Sequence, residues 1–314
     1  MIHVAICLTD PTGIYFKHAL VAALSVLDNT QSPVCLHLVH DETFSDEALK
    51  LFQSVFAQHG QELRLYQAGD IPQETINNVP SFLGKGTLYK TMLPRLLPVE
   101  KALYLDCDVV CLADVKDVFS FDIAPNYLGA VKMDSQQGEK WVKNLGLACG
   151  FCINAGVLLM NLDKIRKDIP DYENRIFAIG RNALVKVGDQ GATNLLFDGV
   201  PSAYFFLPEF CNLRTEQGDH STWPLPEYRG NVIHFAGKKP WQTLTQPGFF
   251  YWKYYSRLFP DEDVFEKMEK LAPYEYAHLL SFILSNDKRR RKVRRSYEMQ
   301  KKGFWQTLLK KLKS

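Results

Sequence analysis

The sequence predicts an α/β fold: a Rossmann-like mixed, mostly parallel sheet with flanking helices, followed by a small, helical, basic C-terminal extension. Three observations carry that expectation. Short runs of strand length alternate with stretches of helical periodicity over the first two-thirds of the chain, the order that builds parallel sheets. The runs are near-continuously apolar, as in strands buried on both faces. The positive charge gathers at one end: over residues 288–314 twelve residues are Lys or Arg and one, Glu298, is acidic, which leaves 25 basic and 34 acidic residues in the body. A net charge of +2 therefore hides a mildly acidic body and a strongly basic tail.

The elements follow in order. Ile2–Leu8 reads as the first strand, and 16–27 as a helix with Ala19, Ala22, Ala23 and Val26 on helical spacing. Val34–His40 is the second strand. Ser45-Asp46-Glu47 is a helix start for a helix over 45–56. Strands follow at 62–66, 102–105 and Leu128–Lys132. After about residue 200 the pattern loosens: Pro201, Pro208, Pro224, Pro226, Pro240 and Pro247 punctuate aromatic-rich loops, and helical patterns return at 261–271 and 274–284. The expected division is a main body over 1–250, a helical part over 251–287 and a basic amphipathic tail over 288–314.

Composition excludes several classes. No run of about 18 apolar residues suggests a spanning helix, and the chain opens on a strand rather than on a secretory signal. Seven cysteines, an odd number, suit free thiols in a reducing cytoplasm better than a disulfide scaffold. Cys149 and Cys152 form a C-x-x-C with no second pair nearby and read as structural. His3, His37 and His40 sit in or at the end of strands without metal-binding spacing in sequence and also read as structural. No nucleic-acid motif accompanies the basic tail.

In open α/β sheets ligands bind beyond the carboxyl ends of the strands, so Asp10, Asp106 and Asp134, each following a strand, are the first functional candidates. The strongest signal is Lys101-Ala-Leu-Tyr-Leu-Asp106-Cys107-Asp108. A strand delivers two carboxylates, two residues apart, to its exit. Two such acids repel and favour a hard divalent cation, an ion that commonly keeps substrate phosphates as further ligands and stabilises a departing diphosphate. A bare D-x-D is more often a solvated turn; the apolar strand before it and the motifs after it reverse that balance.

Those motifs are Thr9-Asp10 after the first strand, Leu103-Tyr-Leu-Asp106-Cys-Asp108, Asn154-Ala155-Gly156-Val-Leu-Leu-Met-Asn161, Asp189-Gln190 with Asn194, and His234-Phe-Ala-Gly237-Lys-Lys239-Pro240-Trp241. Five pieces in this order, from residue 2 to about 241, resemble the family-eight retaining glycosyltransferases, which include bacterial lipooligosaccharide galactosyl- and glucosyltransferases. The resemblance implies a GT-A type fold, with 1–250 as the nucleotide-sugar-binding catalytic domain. It implies Mn2+ (or Mg2+) on Asp106, Asp108 and His234, and a UDP-sugar donor. By the same resemblance Asp10 reads the uracil, Gly237 and Lys239 close over the diphosphate, and Lys90 and Cys107 join the nucleotide site. Asp134, Asn154, Ala155, Asp189 and Gln190 surround the transferred sugar. Lys90 stands where the family usually has Arg, Gly191 where it has a third acid, and the His-to-Trp loop is one residue shorter than the commonest form.

The residues support this reading independently. A histidine beside two acids makes a mixed nitrogen and oxygen site suited to manganese, and Lys239 is a mobile point charge suited to phosphate. Gln190 is a poor nucleophile; Asp134 and Asp189 are chemically better, and same-face attack, with the leaving diphosphate oxygen taking the acceptor proton, needs neither. The tail continues from its polybasic lead into Phe304, Trp305, Leu308, Leu309 and Leu312 near one helical face, the pattern of an interfacial helix on an anionic membrane. The expected partners are UDP-glucose or UDP-galactose, a glycan or glycolipid acceptor and an anionic membrane surface, with no nucleic acid. The expected location is cytoplasmic, peripheral on the inner face of the plasma membrane. The alternatives are a nucleotidyltransferase acting on sugar phosphates and a non-catalytic, membrane-associated nucleotide-sugar-binding protein.

Overall fold

A computed structural model describes residues 1–80, 84–133, 135–182, 188–216 and 223–271. The described residues hold ten strands: β1 (Ile2–Leu8), β2 (Val34–His40), β3 (Glu62–Gln67), β4 (Lys101–Leu105), β5 (Val109–Cys111), β6 (Leu128–Lys132), β7 (Ile153–Asn161), β8 (Tyr204–Phe206), β9 (Leu213–Arg214) and β10 (Val232–His234). The five expected strands are all present, within one residue at each end. The expected helices become α1 (Tyr15–Asn29) and α2 (Asp46–Gln58). The Ser45 hydroxyl caps α2 by accepting the Ala48 N–H at 3.2 Å, as its sequence signature requires.

Seven strands form one sheet in the order β3-β2-β1-β4-β7-β6-β8. All neighbouring pairs are parallel except β4–β7 and β7–β6, which are antiparallel. Six strands therefore run one way and β7 alone runs the other. The reversal fixes the site: the start of β7, at Ile153–Gly156, lies at the edge where the other strands end. The second sheet is small, in the order β5-β10-β9. It pairs His234 with Val109 on one side and Arg214 on the other.

β7 was not foreseen as a strand. It is buried in eight of its nine residues, but Asn154-Ala155-Gly156 interrupts its apolar character and leaves only residues 157–160 as a continuous run. The core on one face of the large sheet joins Ala5, Cys7, Val39, Tyr104, Leu158 and Ile176. At the outer part of the sheet His37 is buried, and that burial pushes its ring down to about 4.

The chain divides into two compact units, Met1–Gly237 and Lys238–Ser314. In the second, an eleven-residue helix at Gly248–Leu258 buries Phe249, Tyr251, Trp252, Tyr254 and Tyr255. Large aromatic residues on several faces hide its 3.6-residue stripe, so its bounds are not legible in the sequence, although most of it falls within the part expected to be helical, 251–287. The helix expected over 261–271 begins at Val264. The pattern at 274–284 and the tail at 288–314 lie outside the described residues. Among those described, no helix is long and apolar enough to cross a membrane.

Candidate active site

The exit of β4 and the end of β10 bring the acidic pair and the histidine together. Ligand atoms of Asp106, Asp108 and His234 lie within 4.8 Å of one another, with His234 Nε2 at 3.4 Å from Asp108 Oδ1 and 3.8 Å from Asp106 Oδ2. Backbone pairing holds them: the Phe235 N–H donates to the Asp108 carbonyl at 3.0 Å, and the Asp106 N–H to the Gly156 carbonyl at 2.8 Å. Gly156 must be glycine. A Cβ there would meet His234 Cε1 at 2.1 Å, His234 Nε2 at 2.7 Å and Asp106 Oδ2 at 2.8 Å.

A chain of amides decides which ring nitrogen of His234 carries a proton. The Gly156 N–H donates to Asn154 Oδ1 at 3.0 Å, so Asn154 Nδ2 is the donor to Gln190 Oε1 at 3.0 Å. Asn212 Nδ2 also donates to Asn154 Oδ1, at 2.8 Å, which leaves Asn212 Oδ1 to accept from His234 Nδ1 at 2.9 Å. Nδ1 therefore holds a proton, and Nε2 faces two carboxylate oxygens. A lone pair among carboxylates needs a positive charge between them, either a proton on Nε2 or a shared cation. Two carboxylates and an imidazole whose far nitrogen is fixed by an amide fit a divalent cation taking oxygen and nitrogen ligands.

Lys90 supports the pair from behind. It projects from a 3₁₀ helix, Lys85–Met92, and is 2% exposed. Its Nζ donates to Asp189 Oδ2 at 2.7 Å, to the Ala155 carbonyl at 2.9 Å and to Asp106 Oδ1 at 3.1 Å, and it stands 4.4 Å over the Tyr104 ring. Burial alone would lower its pKa, but Asp106 and Asp189 together hold the ammonium above its usual value. Burial pushes the Asp189 carboxyl up, Lys90 opposes, and Asp106 adds to the rise. The Tyr104 hydroxyl donates to Asp106 Oδ1 at 2.5 Å; burial, then the charge of Asp106, keeps that phenol protonated. Gln190 Oε1 accepts a second N–H, from Ala155, at 3.2 Å. Asn194 ties the helix Asp189–Leu196 to β7 through both the N–H and the carbonyl of Ile153.

The other expected site residues are placed as follows. Asp10 is 2% exposed, and its two oxygens accept the backbone N–H groups of Ile14, Tyr15 and Phe16 at 2.8–3.1 Å, the start of α1. The Cys107 thiol is buried and points to the Cys7 carbonyl at 3.4 Å. Burial, then Asp106 and Asp108, pushes it well above a thiol's usual range, so its backbone is what it can present to a ligand. Gly237 closes the first compact unit and Lys239 belongs to the second. Asp134 lies outside the described residues.

Sequence reasoning passed over Asn212, Tyr104 and Asp41. Asn212 and Tyr104 act on the acids through hydrogen bonds that join distant segments, which no local pattern announces. Asp41, at the exit of β2, carried the same signal as Asp10. It accepts from Thr9 Oγ1, Tyr89 OH and Lys85 Nζ, each at 2.8 Å, and from Thr43 N at 3.1 Å and Thr43 Oγ1 at 2.5 Å.

Comparison with known proteins agrees with this arrangement. The family model described as Glycosyl transferase family 8 matches residues 3–245. Glycosyltransferase GlyB of Streptococcus pneumoniae is 23% identical over 219 residues, 65% of this chain and 51% of that protein. Glycosyltransferase GlyE of the same organism is 32% identical over 116 residues, 35% of this chain and 24% of that protein. The chain thus spans about half or less of the length of these curated relatives. Among solved structures, the galactosyltransferase LgtC in complex with donor and acceptor sugar analogues superposes with a TM-score of 0.65 at 21% identity, covering 88% of this chain and 99% of that one. At that identity the likeness establishes the shared fold, the GT-A fold.

Proposed function

The chain belongs to glycosyl transferase family 8, and we propose that it moves a hexose, glucose or galactose, from a UDP-sugar to a cell-surface glycan or glycolipid with retention of anomeric configuration. One observation carries the proposal: Asp106, Asp108 and His234 converge within 4.8 Å at the sheet edge where Asn154, Asp189 and Gln190 also gather. A divalent cation, Mn2+ or Mg2+, held by those three residues would neutralise the diphosphate as it leaves.

The chain's own groups favour attack on the face the diphosphate vacates. Gln190 Oε1 already accepts two N–H bonds, and an amide oxygen is a weak nucleophile. Asp189 is paired with Lys90 at 2.7 Å, so acting as a nucleophile would break a buried ion pair. Both groups are suited instead to positioning the sugar and its developing charge. The acceptor proton then passes to the leaving diphosphate oxygen. Gly237 and Lys239 fit a segment, 234–241, that closes over the diphosphate; hydrogen exchange there should slow on adding UDP and Mn2+, and unchanged exchange would remove the lid from the account.

The direct test is incubation with UDP-glucose and with UDP-galactose in Mn2+, following slow donor hydrolysis. The expected products are UDP and a hexose released first as the anomer of the donor. UTP formation when pyrophosphate is added would indicate a nucleotidyltransferase, and no turnover with any common UDP-sugar would favour a binding protein. We further place the enzyme in the cytoplasm, on the inner face of the plasma membrane, through the basic tail at 288–314. Full-length protein should sediment with anionic vesicles at low salt and release at high salt. A version ending at residue 287 should stay in solution and keep hydrolysing donor; equal sedimentation of both forms would rule out the tail as anchor.

A further inference from the structure

The opposite end of β1 carries a second cluster of metal-ligating side chains. The parallel register of β1 and β2 sets His3 against Cys35. His37, two residues further along β2, points to the same face. Ligand atoms of His3, Cys35 and His37 lie within 4.8 Å of one another. His3 Nδ1 is 3.0 Å from His37 Nε2, and the other nitrogen of His37, Nδ1, is 3.0 Å from the Tyr66 hydroxyl on β3. Cys35 and His37 are fully buried, and His3 is half-buried.

We propose that His3, Cys35 and His37 bind a zinc-class divalent ion, at a site separate from the carboxylate site at the other end of the same strands. Two imidazole nitrogens and a sulfur are the donors zinc takes, at about 2.0–2.1 Å and 2.3 Å. A tetrahedron with those bond lengths sets its nitrogens roughly 3.4 Å apart. The two rings therefore need to separate by only a few tenths of an ångström to admit the ion. Tyr66 completes the arrangement: a histidine that binds metal through one nitrogen usually donates its other N–H to an oxygen, which fixes the tautomer. His3 is the half-buried member of the three, so water completing the coordination would approach from its side. Glu62 pairs in register with Cys35 and is held by Arg64 at 2.6 Å, so a carboxylate balances the guanidinium beside the site. Along β1 this cluster lies roughly 16 Å from the end of the strand at Leu8, five residues at about 3.3 Å each, so the ion would pin β1 to β2 rather than touch the donor.

The probe is Co2+, which shows an intense near-ultraviolet charge-transfer band only when a thiolate binds it. Titration of the untagged full-length chain should give such a band, saturating within about two equivalents because the carboxylate site can also take Co2+. Cys35→Ser should abolish it. Asp108→Asn should leave it intact, because the carboxylate site contains no sulfur ligand. His3→Asn, at the half-buried position, should weaken cobalt binding by about tenfold or more with an unchanged circular-dichroism spectrum, which covers the case in which Cys35→Ser fails to fold. Absence of the band in the full-length chain would overturn the proposal. So would an equal band in Cys35→Ser, which would move the thiolate to Cys149 or Cys152, or unaltered affinity in His3→Asn.

Discussion

Four carboxylates stand at the carboxyl edge of one sheet, and they divide into two kinds. Asp10 and Asp41, at the exits of β1 and β2, are tied into the fold: one accepts three backbone N–H groups at the start of α1, the other accepts from Thr9, Thr43, Tyr89 and Lys85. Asp106 and Asp108, after β4, are arranged differently. Asp106 gives Oδ1 to Tyr104 and Lys90 and turns Oδ2, with Asp108 Oδ1, towards His234 Nε2. In sequence all are acids following a buried strand. Position at a strand exit therefore marks where a ligand can bind, and what each acid faces, donors of the fold or the Nε2 of His234, separates those that hold the fold from those that can hold a cation.

The comparison can be broken by single substitutions. The largest effect is expected from Gly156→Ala, whose methyl would occupy the space of the His234 ring and of Asp106 Oδ2. Displacing the ligands by about 1 Å should cost on the order of a hundredfold in donor hydrolysis; a variant within twofold of the parent would mean that the site does not depend on this packing. Asp108→Asn comes next. It should lower hydrolysis by at least about tenfold while the melting temperature moves little, and a large stability loss with intact turnover would place Asp108 among the structural acids.

Asp41→Asn should do the reverse, leaving turnover within about twofold and lowering stability. Burial raises the Asp41 carboxyl, but hydrogen bonds from Lys85, Thr43, Thr9 and Tyr89 outweigh it and hold the group below the usual carboxylate range. A depressed pKa in the folded state contributes stability above the unfolded value, near 3.9, and that stability is lost as pH falls below it. The contribution should be at least about 1 kcal/mol, since one unit is worth about 1.4 kcal/mol. Denaturant titrations at pH 7 and pH 3 should show a pH-dependent loss that shrinks in Asp41→Asn; parallel curves for the two proteins would show that Asp41 is not the group responsible. The smallest effect concerns Asp10. With three backbone donors already bound, it has one lone pair left for the uracil N3–H, which cytosine lacks. UDP should bind more tightly than CDP by a modest factor, and calorimetry giving equal affinities would leave Asp10 with its helix-start role alone.

Much of this was legible in the sequence because the signals were local. β1, β2, β4 and β6 are largely apolar runs, Ser45 caps α2 as its neighbours indicate, and the acidic pair announces itself by following Lys101–Leu105. Pairing across the chain was not legible. The reversed strand β7 is interrupted by Asn154-Ala155-Gly156, the residues that approach Asp106. Asn212 links His234 to Asn154 from a short 3₁₀ turn with no pattern of its own. His3, Cys35 and His37 have no metal-binding spacing along the chain, and only the β1–β2 register brings them together.

The central claim is that Asp106, Asp108 and His234 hold the cation that glycosyl transfer requires. Donor hydrolysis should be measured on chelator-stripped protein, then after adding back Mn2+, in the full-length chain and in His234→Ala. The account predicts loss of hydrolysis on stripping, recovery with Mn2+ in the full-length chain, and little recovery in His234→Ala. Full activity in excess chelator, or equal recovery in both proteins, would contradict it.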